Sequence, residues 1–368
     1  MWEFCKKETV FCIALLAAVV SALFNPPSKA WIDAIDFRTL ALLFSLMGVS
    51  EGLKASGMFD AAAGMMMKKA GNTRLLSLLL VAVVFISSMF FTNDVSLLMF
   101  VPFTMMILDR EGADESYIIK LVVLETISAN LGSMTTPVGN PQNLYICSFF
   151  DVDVVPFFKT ILPYSFASVV LIFICFVIFL WKKEDVAVDE REVRGIDKAR
   201  TMIYLAFLVL ALLSVFHVLP WQILLFLETV VLLVFDRKVL LRIDYILLLT
   251  FICFFIFSEN IRNIDIVREA IASPMKMHPI AVSAAVSQVI SNVPAAILLS
   301  SFADSFEGVL IGTDIGGLGT PIASLASLIS LKFYFRREKG RKGSYLAVFM
   351  LLNIVLLALL ALLAFVLG

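Results

Sequence analysis

The feature that most constrains this chain is its repetition of long apolar segments. At least eight segments of 15 or more residues are almost wholly apolar, and 61% of the 368 residues are hydrophobic. The mean hydropathy is +0.97, whereas only about 45–50% of the residues in a soluble domain are apolar. One core helix or one signal peptide cannot account for so many segments. The sequence therefore predicts an all-α polytopic membrane protein.

Charge and turn signals divide the chain into two halves. Residues 1–181 form the first half, 182–200 a charged cytoplasmic linker, 201–219 a connecting span, and 220–368 the second half. We interpret the N-terminal apolar run as a retained span. The first half contains spans over 10–24, 38–53 and 156–181, an arm over 54–72, an interrupted run over 73–108 and a broken span over 117–150. The second half contains spans over 221–236, 244–258 and 344–367, an arm over 259–278, an interrupted run over 279–303 and a broken span over 306–331.

Lysine and arginine fall mainly on one side of this arrangement. With both interrupted runs treated as re-entrant hairpins, 23 of the 29 Lys and Arg residues lie on the side of the N-terminus. Positive residues are enriched in cytoplasmic loops. We therefore expect a cytoplasmic N-terminus, an extracytoplasmic C-terminus and a location in the plasma membrane of a prokaryote.

Three short signatures recur in the same order in both halves. SEGLK at 50–54 corresponds to SENIR at 258–262, FTNDVSLL at 91–98 to ISNVPAAI at 290–297, and ANLGSMTTPV at 129–138 to TDIGGLGTPI at 313–322. The connecting span brings the second half to the membrane from the opposite face. The pattern predicts an inverted repeat, an architecture that permits alternating access.

Prolines and glycines interrupt the two broken spans at 135–143 and 317–327. Pro137, Pro141 and Pro321 remove N–H donors, and an unpaired backbone group in hydrocarbon costs several kcal/mol. We therefore expect both breaks to face protein or a water-filled cavity. Freed carbonyls can coordinate a cation, and half-helix N-termini can bind an anion. A proline kink satisfied by Ser and Thr side chains is the structural alternative.

The midpoints of the interrupted runs carry small side chains with oxygen ligands. They are Thr92, Asn93 and Asp94 in the first run, and Ser291 and Asn292 in the second. Oxygen donors suit a hard cation such as sodium. Carboxylates at mid-membrane cost roughly 2.5–3.5 kcal/mol on insertion scales. Asp94 and Asp314 are therefore candidates to bind a cation or carry a proton, with helix capping as the alternative.

Four motifs together resemble a known family. FTNDVSLLMFVPF, TTPVGNPQNLYI, ISNVPAAILL and GTDIGGLGTPIASLASLI closely resemble the ion transporter superfamily, in particular its citrate transporter-like branch. That branch includes divalent anion/sodium symporters, arsenite permeases and one type of sodium/proton antiporter. The resemblance covers nearly all of the chain outside the linker. It implies a homodimer with an elevator mechanism, in which the arms join a scaffold to a mobile part that holds the hairpins and broken helices.

The same resemblance implies roles for individual residues. Asn93 with the backbone of 136–139 would form one sodium site, Asn292 with the backbone of 320–323 a related one, and substrate would lie between the tips. The candidate substrate-binding residues are Thr92, Asn93, Asp94, Thr136, Pro137, Asn140, Asn143, Ser291, Asn292, Thr320, Pro321 and Ser324. The candidate cation-binding residues are Thr92, Asn93, Asp94, Thr136, Gly139, Ser291, Asn292, Asp314, Thr320 and Ala323.

The chain departs from the dicarboxylate-transporting members at the third position of each tip. A threonine is expected there, and Asp94 and Val293 replace it. The leading hypothesis is secondary active transport of a small organic or inorganic anion, coupled to sodium or protons. Sodium/proton antiport and efflux of a metalloid such as arsenite are the alternatives.

A channel is compatible with the sequence, although inverted repeats with paired hairpins favour alternating access, and three other function classes lack support. There is no convergent set of catalytic groups, no phosphate-binding loop and no exposed domain for nucleic acid. We therefore expect neither an enzyme nor a nucleic-acid partner, and no cofactor beyond the coupling sodium ion or proton. The expected partners are the lipid bilayer, a small anion and a second copy of the chain. Glu51 and Glu259, at the ends of spans, are expected to form structural hydrogen bonds.

Overall fold

The computed structural model describes residues 8–70, 72–110, 112–181, 195–338 and 340–367, and all regular structure within these ranges is helical. The helices of the first half are α1 Thr9–Ser21, α2 Lys29–Ala34, α3 Phe37–Ala55, α4 Met58–Lys69, α5 Thr73–Phe91, α6 Asn93–Arg110, α7 Glu115–Ser133, α8 Pro141–Phe149 and α9 Val154–Leu180. The remaining helices are α10 Lys198–Val215, α11 Trp221–Phe235, α12 Arg237–Leu240, α13 Tyr245–Arg262, α14 Asp265–Met277, α15 Pro279–Ile290, α16 Asn292–Ser300, α17 Phe306–Ile315, α18 Leu325–Phe335 and α19 Lys342–Leu367.

The structure confirms the predicted class, an all-α membrane protein with several apolar helices. Among the described residues, α5, α9, α10, α13 and α19 are long and apolar enough to cross a membrane, and four shorter helices are also apolar. Residues 182–194 of the predicted linker lie outside the described residues. Its last residues, 198–200, instead begin α10, because the Asp197 side chain accepts a hydrogen bond from the Arg200 N–H and caps the helix.

Asn and Asp side chains start several helices at the predicted boundaries. Asp36 and Asp244 cap α3 and α13 by accepting from the Thr39 and Leu247 N–H groups. Asn72 and Asn140 cap α5 and α8 in the same way. An N-cap of this kind satisfies one of the N–H groups that has no partner within the helix. Short polar residues thus define where apolar segments begin.

The helices pack in two groups. In the first group, α1 lies against α13, and α3 lies against α10 and α11. In the second, α7 packs on α5, α6, α9, α18 and α19, while α15 packs on α16 and α17. The groups meet where α8 contacts α3 and where α16 contacts α13.

The first broken span lies deep in the second group. Every residue from 121 to 147 is buried, which includes the end of α7, the whole break and most of α8. The second break differs, because Thr320 and Pro321 are partly exposed and Ile322 is 54% exposed. The expectation that both breaks face inward therefore holds fully only for the first.

The Gln288 side chain explains how the second break can reach the surface. Its amide nitrogen donates to the Gly316 and Leu318 carbonyls at 2.8 and 2.9 Å, and its oxygen accepts from the Thr320 N–H at 2.9 Å. One side chain thereby satisfies three backbone groups that the break frees. Because these backbone groups already have hydrogen-bond partners, the segment can be exposed without the cost of unpaired polar groups in hydrocarbon.

Candidate functional site

The first interrupted run is broken at Thr92, which separates α5 from α6. Thr92 has φ 63° and ψ 149°, a backbone region that is otherwise essentially restricted to glycine. This interruption lies against the first break, because the Asn93 N–H donates to the Gly139 carbonyl at 3.2 Å. The Thr136 hydroxyl donates to the Met89 carbonyl. We call residues 92–94 tip 1.

The second run is interrupted in the same way at Ser291, which has φ 75° and ψ 154° and separates α15 from α16. The Asn292 N–H donates to the Ala323 carbonyl at 2.9 Å. The Thr320 hydroxyl donates to the Gln288 carbonyl at 3.0 Å. We call residues 291–293 tip 2.

The two tips use equivalent positions. Met89 and Gln288 each precede the strained residue by three positions, and Gly139 and Ala323 each follow the break threonine by three. Each tip is therefore held to its own break by one backbone and one threonine hydrogen bond at matching positions. Non-glycine residues in such backbone conformations persist where the surrounding structure enforces them, and they cluster at functional sites.

Asn130 links tip 1 to the second break. Its side-chain oxygen accepts from the Asn93 amide at 3.4 Å and from the Ser324 hydroxyl at 2.8 Å. Its amide nitrogen donates to the Ser327 hydroxyl at 3.3 Å. Because Ser324 follows Ala323, which accepts from the tip-2 backbone, Asn130 brings both tips into one buried network.

Asp314 makes the equivalent link in the opposite direction. It precedes Thr320 by six positions, as Asn130 precedes Thr136. One carboxylate oxygen accepts from the Asn140 and Gln142 amides at 3.1 and 3.3 Å. The predicted residues Asn140, Asn143 and Asp314 are therefore brought together across the two halves.

Two oxygens in this second link have no hydrogen-bond partner among the described residues. They are Oδ2 of Asp314 and Oδ1 of Asn143, both buried. Asn143 joins this link through its backbone, because its N–H donates to the Asn140 side-chain oxygen at 2.9 Å. The side-chain nitrogen of Asn143 donates to the Met134 and Thr136 carbonyls at 3.3 and 3.4 Å. Buried polar atoms without a partner are uncommon in folded proteins, so these two oxygens mark the link for attention.

Not every predicted residue joins this network. Asp94 lines a cavity of about 530 Å³ together with Asp244 and Lys332. Its Oδ1 has no partner among the described residues. The Thr320 side chain anchors the break to α15, and Pro321 and Pro137 interrupt the helices without donating or accepting a hydrogen bond through their side chains.

A second cavity, of about 490 Å³, lies at the other end of α13. Its lining includes Glu259 and Arg262 at the C-terminal end of α13, Tyr145 of α8 and Ser301 after α16. The Asp94 cavity lies at the N-terminal end of α13, where Asp244 caps the helix. Asp33 and Asp36 also line the second cavity. Each cavity therefore carries three carboxylates and a single basic side chain, the third acid of the Asp94 cavity being Glu8.

Glu51 and Glu259 form matching ion pairs at the ends of α3 and α13. Lys54 contacts Glu51 at 3.4 Å and Arg262 contacts Glu259 at 3.2 Å, each three residues later in the chain. This agrees with the structural role expected from the sequence.

Sequence reasoning missed Asn130, Gln288 and Glu228. Each is a polar residue within an apolar helix, and this was the available signal. Glu228 in α11 is fully buried, and neither of its carboxylate oxygens has a partner among the described residues. It lies against Gly48 of α3, where an added Cβ would come within 2.6 Å of Oε1.

The fold and site define a helical integral membrane protein whose interrupted helices meet in a buried polar network. The chain matches the model of the citrate transporter family over residues 1–310 and belongs to that family. It is a membrane transporter and not an enzyme.

Several transporters and membrane proteins are similar in sequence. An uncharacterized transporter of Methanocaldococcus jannaschii, MJ0456, is 31% identical over 301 residues, which cover 81% of each chain. The inner membrane protein YbiR of Escherichia coli is 28% identical over 336 residues, 89% of this chain and 88% of YbiR. The silicon efflux transporter LSI3 of Oryza sativa is 31% identical over 174 residues, 47% of this chain and 35% of LSI3.

Proposed function

We propose that this protein is a cation-coupled secondary active transporter that carries a small organic or inorganic anion between the two tips. The observation that carries the proposal is the convergence of four helix N-termini. Helices α6, α8, α16 and α18 begin at the tips and breaks that Asn130 and Asp314 connect. A helix N-terminus offers free N–H groups and a partial positive charge, both of which favour an anion.

The coupling cation would bind beside the anion. The unpartnered oxygens of Asp314 and Asn143 provide one position for a proton or sodium ion. Asn93 with the carbonyls at 136–139, and Asn292 with those at 320–323, provide the two further sodium sites that the family resemblance implies. A cation bound next to the substrate would offset the charge of both the carboxylate and the anion.

Alternating access would follow from an inverted repeat with re-entrant hairpins. The matching hydrogen bonds of the two tips support the repeat, and the two helix groups support a division into scaffold and mobile part. In this proposal α5 to α9 and α15 to α19 move together as an elevator within a homodimer. The N-terminus would be cytoplasmic and the C-terminus extracytoplasmic.

A second candidate is efflux of an uncharged hydroxylated solute, such as a metalloid acid, in exchange for protons. Sodium/proton antiport is a related possibility, because it would use the same carboxylates of the two cavities. The excess of carboxylates in both cavities favours this candidate, because an acidic cavity repels anions and attracts cations. The similarity to the silicon efflux transporter LSI3 over about half of this chain agrees with it.

A thermal-shift screen of the purified protein distinguishes these candidates. A ligand that binds only the folded state raises its apparent stability by mass action. Sodium, lithium and several pH values would be combined with carboxylates, oxyanions and undissociated arsenious or silicic acid. We expect an anion to stabilise the protein only when the coupling cation is present.

The variants Asn93→Ala and Asn292→Ala should lose this linked stabilisation. Asn263→Ala, outside the network, is the matched control. Stabilisation by the neutral acid without any anion effect would support the second candidate instead. Equal responses in all three variants would contradict a site between the tips.

A further inference from the structure

An apolar groove lies on the surface between α5 and α9. Its volume is about 330 Å³. Representative lining residues are Leu78, Ala82 and Phe85 of α5 and Val169, Phe173 and Phe176 of α9. Phe173 is 51% exposed and Ile86, also in the lining, is 56% exposed. The groove therefore faces the surroundings of the helix bundle and lies apart from the tip network.

A basic residue and a tryptophan lie at one end of this groove. Arg74 is four residues before Leu78, so it lies on the same face of α5 one turn away. Its guanidinium carbon lies 4.7 Å from the centre of the Trp181 ring, directly after α9. Trp181 is 50% exposed. Tryptophan and arginine at the end of an apolar surface are typical of the level of lipid headgroups.

Two more basic side chains lie close to this end along the chain. Lys68 and Lys69 end α4, a few residues before Arg74, and both are exposed. None of these three residues forms an ion pair with a carboxylate of the described residues. Within the described part of the chain, the groove thus combines a long apolar wall with basic side chains at one end that pair with no carboxylate.

We propose that this groove binds an anionic phospholipid, with one acyl chain between α5 and α9 and the phosphate at Arg74. The apolar lining excludes a free polar anion, and the unpaired positive charge favours an anionic headgroup over a zwitterionic one. The headgroup end lies on the side that the proposed topology makes cytoplasmic. Because α5 leads directly into tip 1, the bound lipid contacts a helix of the transport site.

Native mass spectrometry of the purified protein in neutral detergent tests the proposal. Phosphatidylglycerol and phosphatidylcholine with identical acyl chains are titrated, and bound lipid is counted. We expect preferential binding of phosphatidylglycerol, about fivefold weaker in Arg74→Gln, because a basic side chain near the headgroups contributes roughly a factor of five in affinity. Arg242→Gln, which removes an exposed charge in the loop before α13, should bind as the unmodified protein does.

A second variant tests the position of the acyl chain. Ala82→Phe fills the groove without changing charge and should reduce binding of both lipids. Thermal midpoints in detergent alone identify any variant that fails to fold, in which case Ala82→Leu replaces it. Equal binding by Arg74→Gln and Arg242→Gln, undiminished binding by the groove variant, or displacement of the lipid by inorganic phosphate would each overturn the proposal.

Discussion

Asp314 occupies the position that Asn130 holds in the other half, and this equivalence makes Asp314→Asn an informative substitution. The Asn130 amide donates to Ser327 at 3.3 Å, whereas the equivalent oxygen of Asp314 has no partner among the described residues. An amide at position 314 would replace this unpartnered carboxyl oxygen with a neutral donor. It would keep the other oxygen available to Asn140.

The expected gain in folding free energy can be estimated from these atoms. A buried polar atom without a partner costs about 1–3 kcal/mol, and the substitution replaces a buried carboxyl that has an unpartnered oxygen with a neutral amide of the same shape. Asp314→Asn should therefore stabilise the folded protein by about 1–3 kcal/mol. Cation-coupled transport should be lost, since the amide neither carries a proton nor attracts a cation as a carboxylate does.

Two measurements on the same preparations test this pair of effects. Thermal midpoints are recorded in detergent without sodium, and transport is followed in liposomes with sodium and pH gradients. Asn130→Asp is the matched control, because it removes the donor to Ser327 and should lower the midpoint. A fall in midpoint for Asp314→Asn, or transport with unchanged cation dependence, would refute the assignment of Asp314 to the coupling site.

Three further substitutions test separate parts of the fold. Gly139→Ala should prevent correct assembly of the first break, because the added Cβ would lie 2.2 Å from the Ser133 carbonyl oxygen, whereas Gly343→Ala, with no atom within 4 Å, should leave the thermal midpoint unchanged. Arg337→Gln should destabilise the protein by about 1.5–3 kcal/mol, measured by the same midpoint, because it leaves Asp109 and Glu115 without their shared cation. Glu228→Gln should preserve both midpoint and transport, because the amide matches the volume of a carboxyl whose oxygens have no partner; a folded variant that no longer transports would instead identify Glu228 as a further cation or proton carrier.

The positions of the tips and breaks could be predicted from the sequence because their signals are local. Proline, glycine and short polar residues interrupt apolar runs wherever they occur, independently of the rest of the fold. The structure has helix ends at Phe91 and Asn93 and at Ile290 and Asn292, within the predicted interruptions. The helical, membrane-spanning class also followed from composition alone.

The contacts between the two halves could not be predicted from local sequence patterns. Asn130 contacts Ser324 across 194 positions, and Asn140 contacts Asp314 across 174. No spacing in the chain indicates which polar residue of one helix will meet which break. Asp94 lines one cavity with Asp244 and Lys332, and this position likewise depends on a long-range contact, the packing of α6 against α18.

Asn130 and Asp314 hold matching positions relative to the two breaks but differ in how completely they are hydrogen-bonded. The Asn130 link is complete, because its amide and oxygen are all bonded, and a complete link rigidifies its surroundings. In the Asp314 link, one carboxylate oxygen accepts from Asn140 and Gln142, and the other has no partner among the described residues. Under the proposed function, a cation bound at Asp314 would share this carboxylate with Asn140, which caps α8. The affinity for the cation would then be coupled to the packing of Asn140 and hence to the start of α8, which would give the proposed cation dependence a physical origin.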